Sequence, residues 1–100
     1  MIHNLKIEEK YLNAIKDGSK TFEIRHNDRD FKVGDILVFD DPREESGHYA
    51  VLVTYMIDDE RFCKENYVVM SIKPIGKAIH QILKTMQEDI NEFETRKKER

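Results

Sequence analysis

The chain predicts an α+β protein: a small β-barrel with one early helix, followed by a long C-terminal amphipathic helix. Three observations point there. Apolar residues alternate in short runs of strand length, one early run switches to helical spacing, and after Gly76 a helical seam runs on without Gly or Pro. Only one connection has room for a crossover helix, which argues against a doubly wound sheet.

The elements follow in order. Ile2 to Ile7 reads as a short strand with Leu5 and Ile7 alternating against Lys6, polar enough for a sheet edge. Glu8 and Glu9 then open a helix, their negative charge on its positive end, and Tyr11, Leu12 and Ile15 form one apolar stripe. Gly18 stands where a left-handed C-cap belongs. From Lys20 the period becomes two. Phe22 and Ile24 are expected on the core face, with Thr21, Glu23 and Arg25 on the polar one.

His26 to Lys32 is a charged loop, and Phe31 within it is expected to tuck back onto the core. Val33-Gly34-Asp35 is a tight turn and Ile36 to Phe39 a buried strand. Asp40 to Gly47 is an exposed connection. His48 to Ile57 is the longest strand, with Tyr49, Val51, Val53 and Tyr55 expected on one face and Ala50, Leu52 and Met56 on the other. A polar loop from Asp58 leads to the last strand, Tyr67 to Lys73, before Pro74.

Residues 1–75 therefore form the barrel domain and 76–100 the C-terminal helix. Its seam is Ile79, Leu83, Met86, Ile90 and Phe93, widened by Ile82. Burying five such side chains is worth about 7 to 15 kcal/mol as an upper estimate, so the seam is expected to be covered. The expected partner is another copy of the chain, giving a homo-oligomer through those five residues; the alternative is packing across the chain's own barrel.

Composition limits the function classes. One hundred residues suit a single domain, and 39% apolar content in short runs suits a folded one. No run approaches the roughly 20 apolar residues of a membrane span, and no signal-peptide pattern opens the chain, so no membrane association is expected and a cytoplasmic location is. Cys63 is the single cysteine, and His3, His26, His48 and His80 show no ligand spacing; neither a metal nor another cofactor is expected. The net charge of −3 disfavours a protein that grips nucleic acid over its whole surface and leaves room only for a local basic patch.

Such a patch is available. Gly18-Ser19-Lys20-Thr21-Phe22-Glu23-Ile24-Arg25 runs on through Asn27-Asp28-Arg29-Asp30-Phe31 to Val33-Gly34-Asp35. Together with His3-Asn4-Leu5-Lys6-Ile7 and Tyr67-Val68-Val69, these stretches resemble the ASCH superfamily of PUA-like barrels, in a phage and bacterial branch classed only as a domain of unknown function. The resemblance covers about residues 1 to 73. It implies a barrel with a side cleft where the Gly-x-Lys-x-x-Glu-x-Arg residues gather, and RNA or nucleotide binding by analogy with PUA domains.

The residue chemistry suits that expectation. Arg25 and Arg29 offer planar forks for phosphate, Lys20 a point charge, and Glu23 an acceptor for a base amine or a brace for Arg25. His26 and Tyr67 offer stacking surfaces. The bland reading is a solvated Glu23–Arg25 pair and a self-satisfied Asp28-Arg29-Asp30 turn.

Two other classes stay open. Some relatives are small amidohydrolases acting on acylated nucleosides, with the motif Lys, a Thr three residues on and a carboxylate. Here Glu23 stands where that Thr would, leaving Lys20, Thr21 and Glu23 as the candidate catalytic set in a shifted arrangement. The third class is an oligomeric scaffold or regulatory protein.

Overall fold

The computed structural model describes residues 1–75 of the chain. They form β1 (Ile2–Leu5), α1 (Glu9–Lys16), β2 (Phe22–His26), β3 (Ile36–Asp40), β4 (His48–Ile57) and β5 (Tyr67–Pro74). The strands make one sheet in the order β1-β3-β4-β5-β2. β1 pairs parallel with β3, and every other pairing is antiparallel.

This architecture corrects the fold class read from the sequence. Among the described residues the fold is mostly sheet, a curled half-barrel with one helix of eight residues, in place of the α+β barrel expected. The strands expected from periodicity are present. What periodicity lacks is strand order: β2 is carried to the far edge beside β5, so β1 and β2 end the sheet and leave the barrel open between them. The expected C-terminal helix and its seam (Ile79, Leu83, Met86, Ile90, Phe93) lie outside the described residues. Among the described residues no helix is long and apolar enough to cross a membrane.

The main core lies on the inner face of the sheet. Leu37, Phe39, Val51, Val68 and Met70 are fully enclosed there, and Leu12 and Ile15 of α1 pack onto them. An eight-residue helix has little stability of its own, so α1 exists because these two side chains are buried. Tyr11, expected in the same stripe, is 43% exposed at its margin. A second apolar cluster, Ile36, Val38 and Ala50 with Ile2, Leu52 and Ile75 packed against it, sits on the outer face.

A register shift between Val53 and Tyr55 changes the face of the later half of β4. Val51 and Val53 point inward, whereas Tyr55 beyond the bulge is 62% exposed and Met56 packs against the core instead. A single extra residue thus separates Tyr55 from the face it shares with Val53 in a strict alternation.

Two buried carboxylates fasten the ends of the structure. Asp41, with its side chain fully enclosed, accepts from Lys16 Nζ at 2.8 Å and from Arg43 Nε at 3.1 Å, and Arg43 Nη1 donates to Asn13 Oδ1 at 2.6 Å. This ties the last turn of α1 to the β3–β4 connection. Burial pushes the Asp41 carboxyl up, but the Lys16 and Arg43 hydrogen bonds outweigh it and hold it below the usual carboxylate range; Asp41 and Glu44 in turn raise Lys16. Asp35 does the same for β1, accepting from His3 Nε2 at 2.8 Å, from the Met1 ammonium at 2.9 Å and from the Lys32 N–H at 3.0 Å. His3 in turn meets the Phe31 ring edge to face at 4.7 Å, so Phe31 does return to the core.

A charged cleft at the seam of the half-barrel

The candidate site begins where α1 ends. Gly18 has a φ of 87°, a left-handed conformation that only glycine adopts without strain, and the chain turns there so that the Lys20 N–H donates to the Ala14 carbonyl at 3.0 Å. That bond sets Lys20 at the mouth of β2. Its ammonium donates to the Phe22 carbonyl at 2.6 Å and to Glu23 Oε1.

Glu23 is 4% exposed, and its other oxygen accepts from Arg25 Nε at 2.8 Å. Arg25 Nη2 donates to the Lys6 carbonyl at 2.9 Å, and its guanidinium lies 5.8 Å from the centre of the Phe39 ring. One guanidinium therefore bridges the two free ends of the sheet, from β2 to the segment that follows β1.

The faces of β2 are the reverse of those expected. Glu23 and Arg25 point inward, while Phe22 and Ile24 are 42% and 55% exposed on the outer face. Alternation assigns residues to two faces but carries no sign. At this open edge the inward side is not a sealed core but the wall of a cleft, where paired charges remain satisfied. The solvated Glu23–Arg25 pair does not exist; Glu23 is a buried acceptor shared by two cations.

The cleft has a volume of about 580 Å³ and lies between β2 and the segment from Lys6 to α1. Tyr11, Ile7 and Ala14 supply apolar wall, and Lys20, Glu23 and Arg25 the charge. A second hollow of about 410 Å³ adjoins it, lined by Asn4, His26, Asp28 and Arg29 among others, and shares Lys6 and Arg25 with the first. Along both hollows the cations Lys6, Lys20, Arg25 and Arg29 face the acids Glu8, Glu23 and Asp28, a local positive excess on a chain of net charge −3.

The predicted site residues are therefore brought together in part. Lys20, Glu23 and Arg25 share the larger cleft, and Arg25, His26 and Arg29 the smaller. Tyr67 lines neither, though its ring meets His26 edge to face at 5.5 Å. Thr21 is exposed and not among the residues lining the larger cleft, so the Lys20–Thr21–Glu23 set does not converge on it. Lys6 and Tyr11 also line the larger cleft, and the sequence carries no signal that marks either as a site residue. Lys6 sits in an ordinary strand alternation, and Tyr11 looks like one more member of an apolar stripe. Among the described residues no three His, Cys, Asp or Glu side chains gather as a metal site requires.

Fold and site together define a small curled-sheet domain with a charged cleft between its two free edges. The chain belongs to the family described as Domain of unknown function (DUF3850), whose model matches residues 2–72. Among solved structures it is similar to the crystal structure of hypothetical protein PH0355, with 23% identity and a TM-score of 0.54, covering 75% of this chain and 100% of that one. It is also similar to the solution structure of protein PF0455 from Pyrococcus furiosus, with 21% identity and a TM-score of 0.49, covering 76% and 99%. The PH0355 likeness, at that identity, speaks to the fold alone. No curated protein matches the chain.

Proposed function

We propose that the chain is a PUA-like domain of the ASCH kind that binds RNA or a nucleotide in the seam cleft. The observation that carries this reading is the part-buried Lys20–Glu23–Arg25 cluster, centred on the buried Glu23. It holds two cations on one carboxylate beside an apolar wall, and so keeps a surplus positive charge where water is partly excluded. An anion placed there interacts more strongly than at an open surface, since nearby charges are screened less. Glu23 acts as the brace: with each of its oxygens already accepting, it aims the cations and leaves the remaining donors of Lys20 and Arg25 to a ligand. Arg29 extends the positive track into the second hollow. The amidohydrolase alternative gains no support from this geometry, because Thr21 stands outside the cleft lining.

The test is the binding of a short fluorescently labelled single-stranded RNA, followed by anisotropy at two salt concentrations. Binding is expected to weaken with salt. It is expected to fall at least tenfold in the double variant Arg25→Ala, Arg29→Ala. Wild-type protein that binds neither the RNA nor mononucleotides at millimolar concentration contradicts the proposal.

A further inference from the structure

We infer that the free edge of β2 reads the ligand's base, with the main-chain N–H and C=O of Ile24 as the donor and acceptor that take a nucleobase edge. The inference rests on the reading of the cleft as a nucleotide site and names the groups that recognise the base within it.

Among the described residues β2 has β5 as its one neighbour in the sheet, paired antiparallel from Phe22↔Ser71 to His26↔Tyr67. In such a pair, residues that exchange hydrogen bonds with the partner strand alternate with residues whose N–H and C=O point away from it. Two bonds set the phase here. The Ile72 N–H donates to the Thr21 carbonyl at 3.0 Å, and the Asn27 N–H donates to the Asn66 carbonyl at 2.7 Å. Residues 21, 23, 25 and 27 therefore face β5, and Phe22, Ile24 and His26 turn their main chain to the open side. An independent contact agrees: the Phe22 carbonyl is reached from the open side by Lys20 Nζ at 2.6 Å.

That bond occupies the Phe22 acceptor, and His26 lies at the second hollow. Ile24 is the outward-facing residue left in the larger cleft, which it lines, and among the described residues its main chain has no partner across the seam. The N–H and C=O of one extended residue stand side by side, a donor beside an acceptor. Each common nucleobase presents the complementary pair on its Watson–Crick edge, as single-stranded recognition exploits. The next residue, Arg25, aims its guanidinium to the inner side, where the phosphate is expected. A base held edge-on at Ile24 thus has its phosphate beside Arg25.

Recognition of this kind tolerates different bases but not alkylation of the edge. The experiment is a calorimetric titration of the full chain with UMP and N3-methyl-UMP, AMP and N6,N6-dimethyl-AMP, and ribose 5-phosphate. UMP and AMP are expected to bind at least tenfold more tightly than their methylated forms and than ribose 5-phosphate. Ile24→Pro removes the outward N–H and leaves the β2–β5 ladder bonds in place, a substitution an edge strand accepts. It is expected to abolish the preference for UMP over N3-methyl-UMP. Equal affinity of wild-type protein for UMP and N3-methyl-UMP, or for UMP and ribose 5-phosphate, overturns the inference and leaves the nucleotide reading standing. Absence of binding by every nucleotide overturns both.

Discussion

Glu23 is the residue on which the site's geometry turns. It is a carboxylate on a strand, nearly enclosed, and each of its oxygens is taken by a cation whose own side chain is only 13% (Lys20) or 23% (Arg25) exposed. Removing it leaves two cations partly buried without a counter-charge. Breaking a buried pair costs roughly 3–5 kcal/mol, and the partial exposure here reduces that, so Glu23→Ala is expected to destabilise the domain by about 2–3 kcal/mol. Lys20→Ala is expected to cost less, because Glu23 keeps Arg25. Urea unfolding of both variants checks this; a Glu23→Ala loss under about 0.5 kcal/mol, the range of ordinary surface changes, contradicts the buried-brace account. The same residue shows where sequence reading stops. That Glu23 and Arg25 share a face was legible from period-two spacing, but which face was not, since Phe22 and Ile24 have the composition of a core.

At the scale of elements, α1 is held by packing and by one ion network. Leu12 and Ile15 bury its inner stripe, and Lys16, Asp41 and Arg43 lock its end to the β3–β4 connection. The charges make this lock dependent on pH. Asp41 and Asp35 titrate below the ordinary carboxylate value in the folded state, so their contribution is fully present above the unfolded value near 3.8 and is lost as the pH falls through the folded values. Lys16 titrates above its ordinary 10.5, so its contribution is present below that value and is lost as the pH rises through the folded one. Thermal unfolding from pH 2 to pH 11 is expected to show stability falling below about pH 4 and again above about pH 10.5. Asp41→Asn is expected to lower the plateau and flatten the acid limb. An acid limb identical to wild type contradicts the assignment. Asp41 lies in a connection that reads as exposed because Pro42 and charged neighbours surround it; its burial depends on α1 arriving from elsewhere in the chain, and local composition carries no record of that.

For the molecule as a whole, strand existence was legible and strand order was not. Most strands of the sheet announce themselves by alternation, β3 by its continuous apolar run Ile36–Phe39, and the helix by Glu9, Leu12, Ile15 and Gly18. The placement of β2 at the far edge, beside β5, depends on long-range pairing that leaves no short-range pattern. Yet that placement makes the site: it sets two free edges facing each other, with Arg25 spanning to Lys6 and the cleft between them. The Gly18–Arg25 motif was recognisable as a cluster, whereas the walls given by Tyr11 and Lys6 became visible only once the sheet had curled.

We propose that the seam cleft, and not the outer face of the sheet, receives the nucleotide. The most direct test is a titration of isotopically labelled protein with UMP, followed by amide chemical shifts. Saturable changes are expected to concentrate at Lys6–Glu8, Lys20 and Glu23–Arg25, extending to Arg29. Changes centred on Tyr55, Ile57 and Val69 of the outer face, or no changes at millimolar UMP, would contradict it.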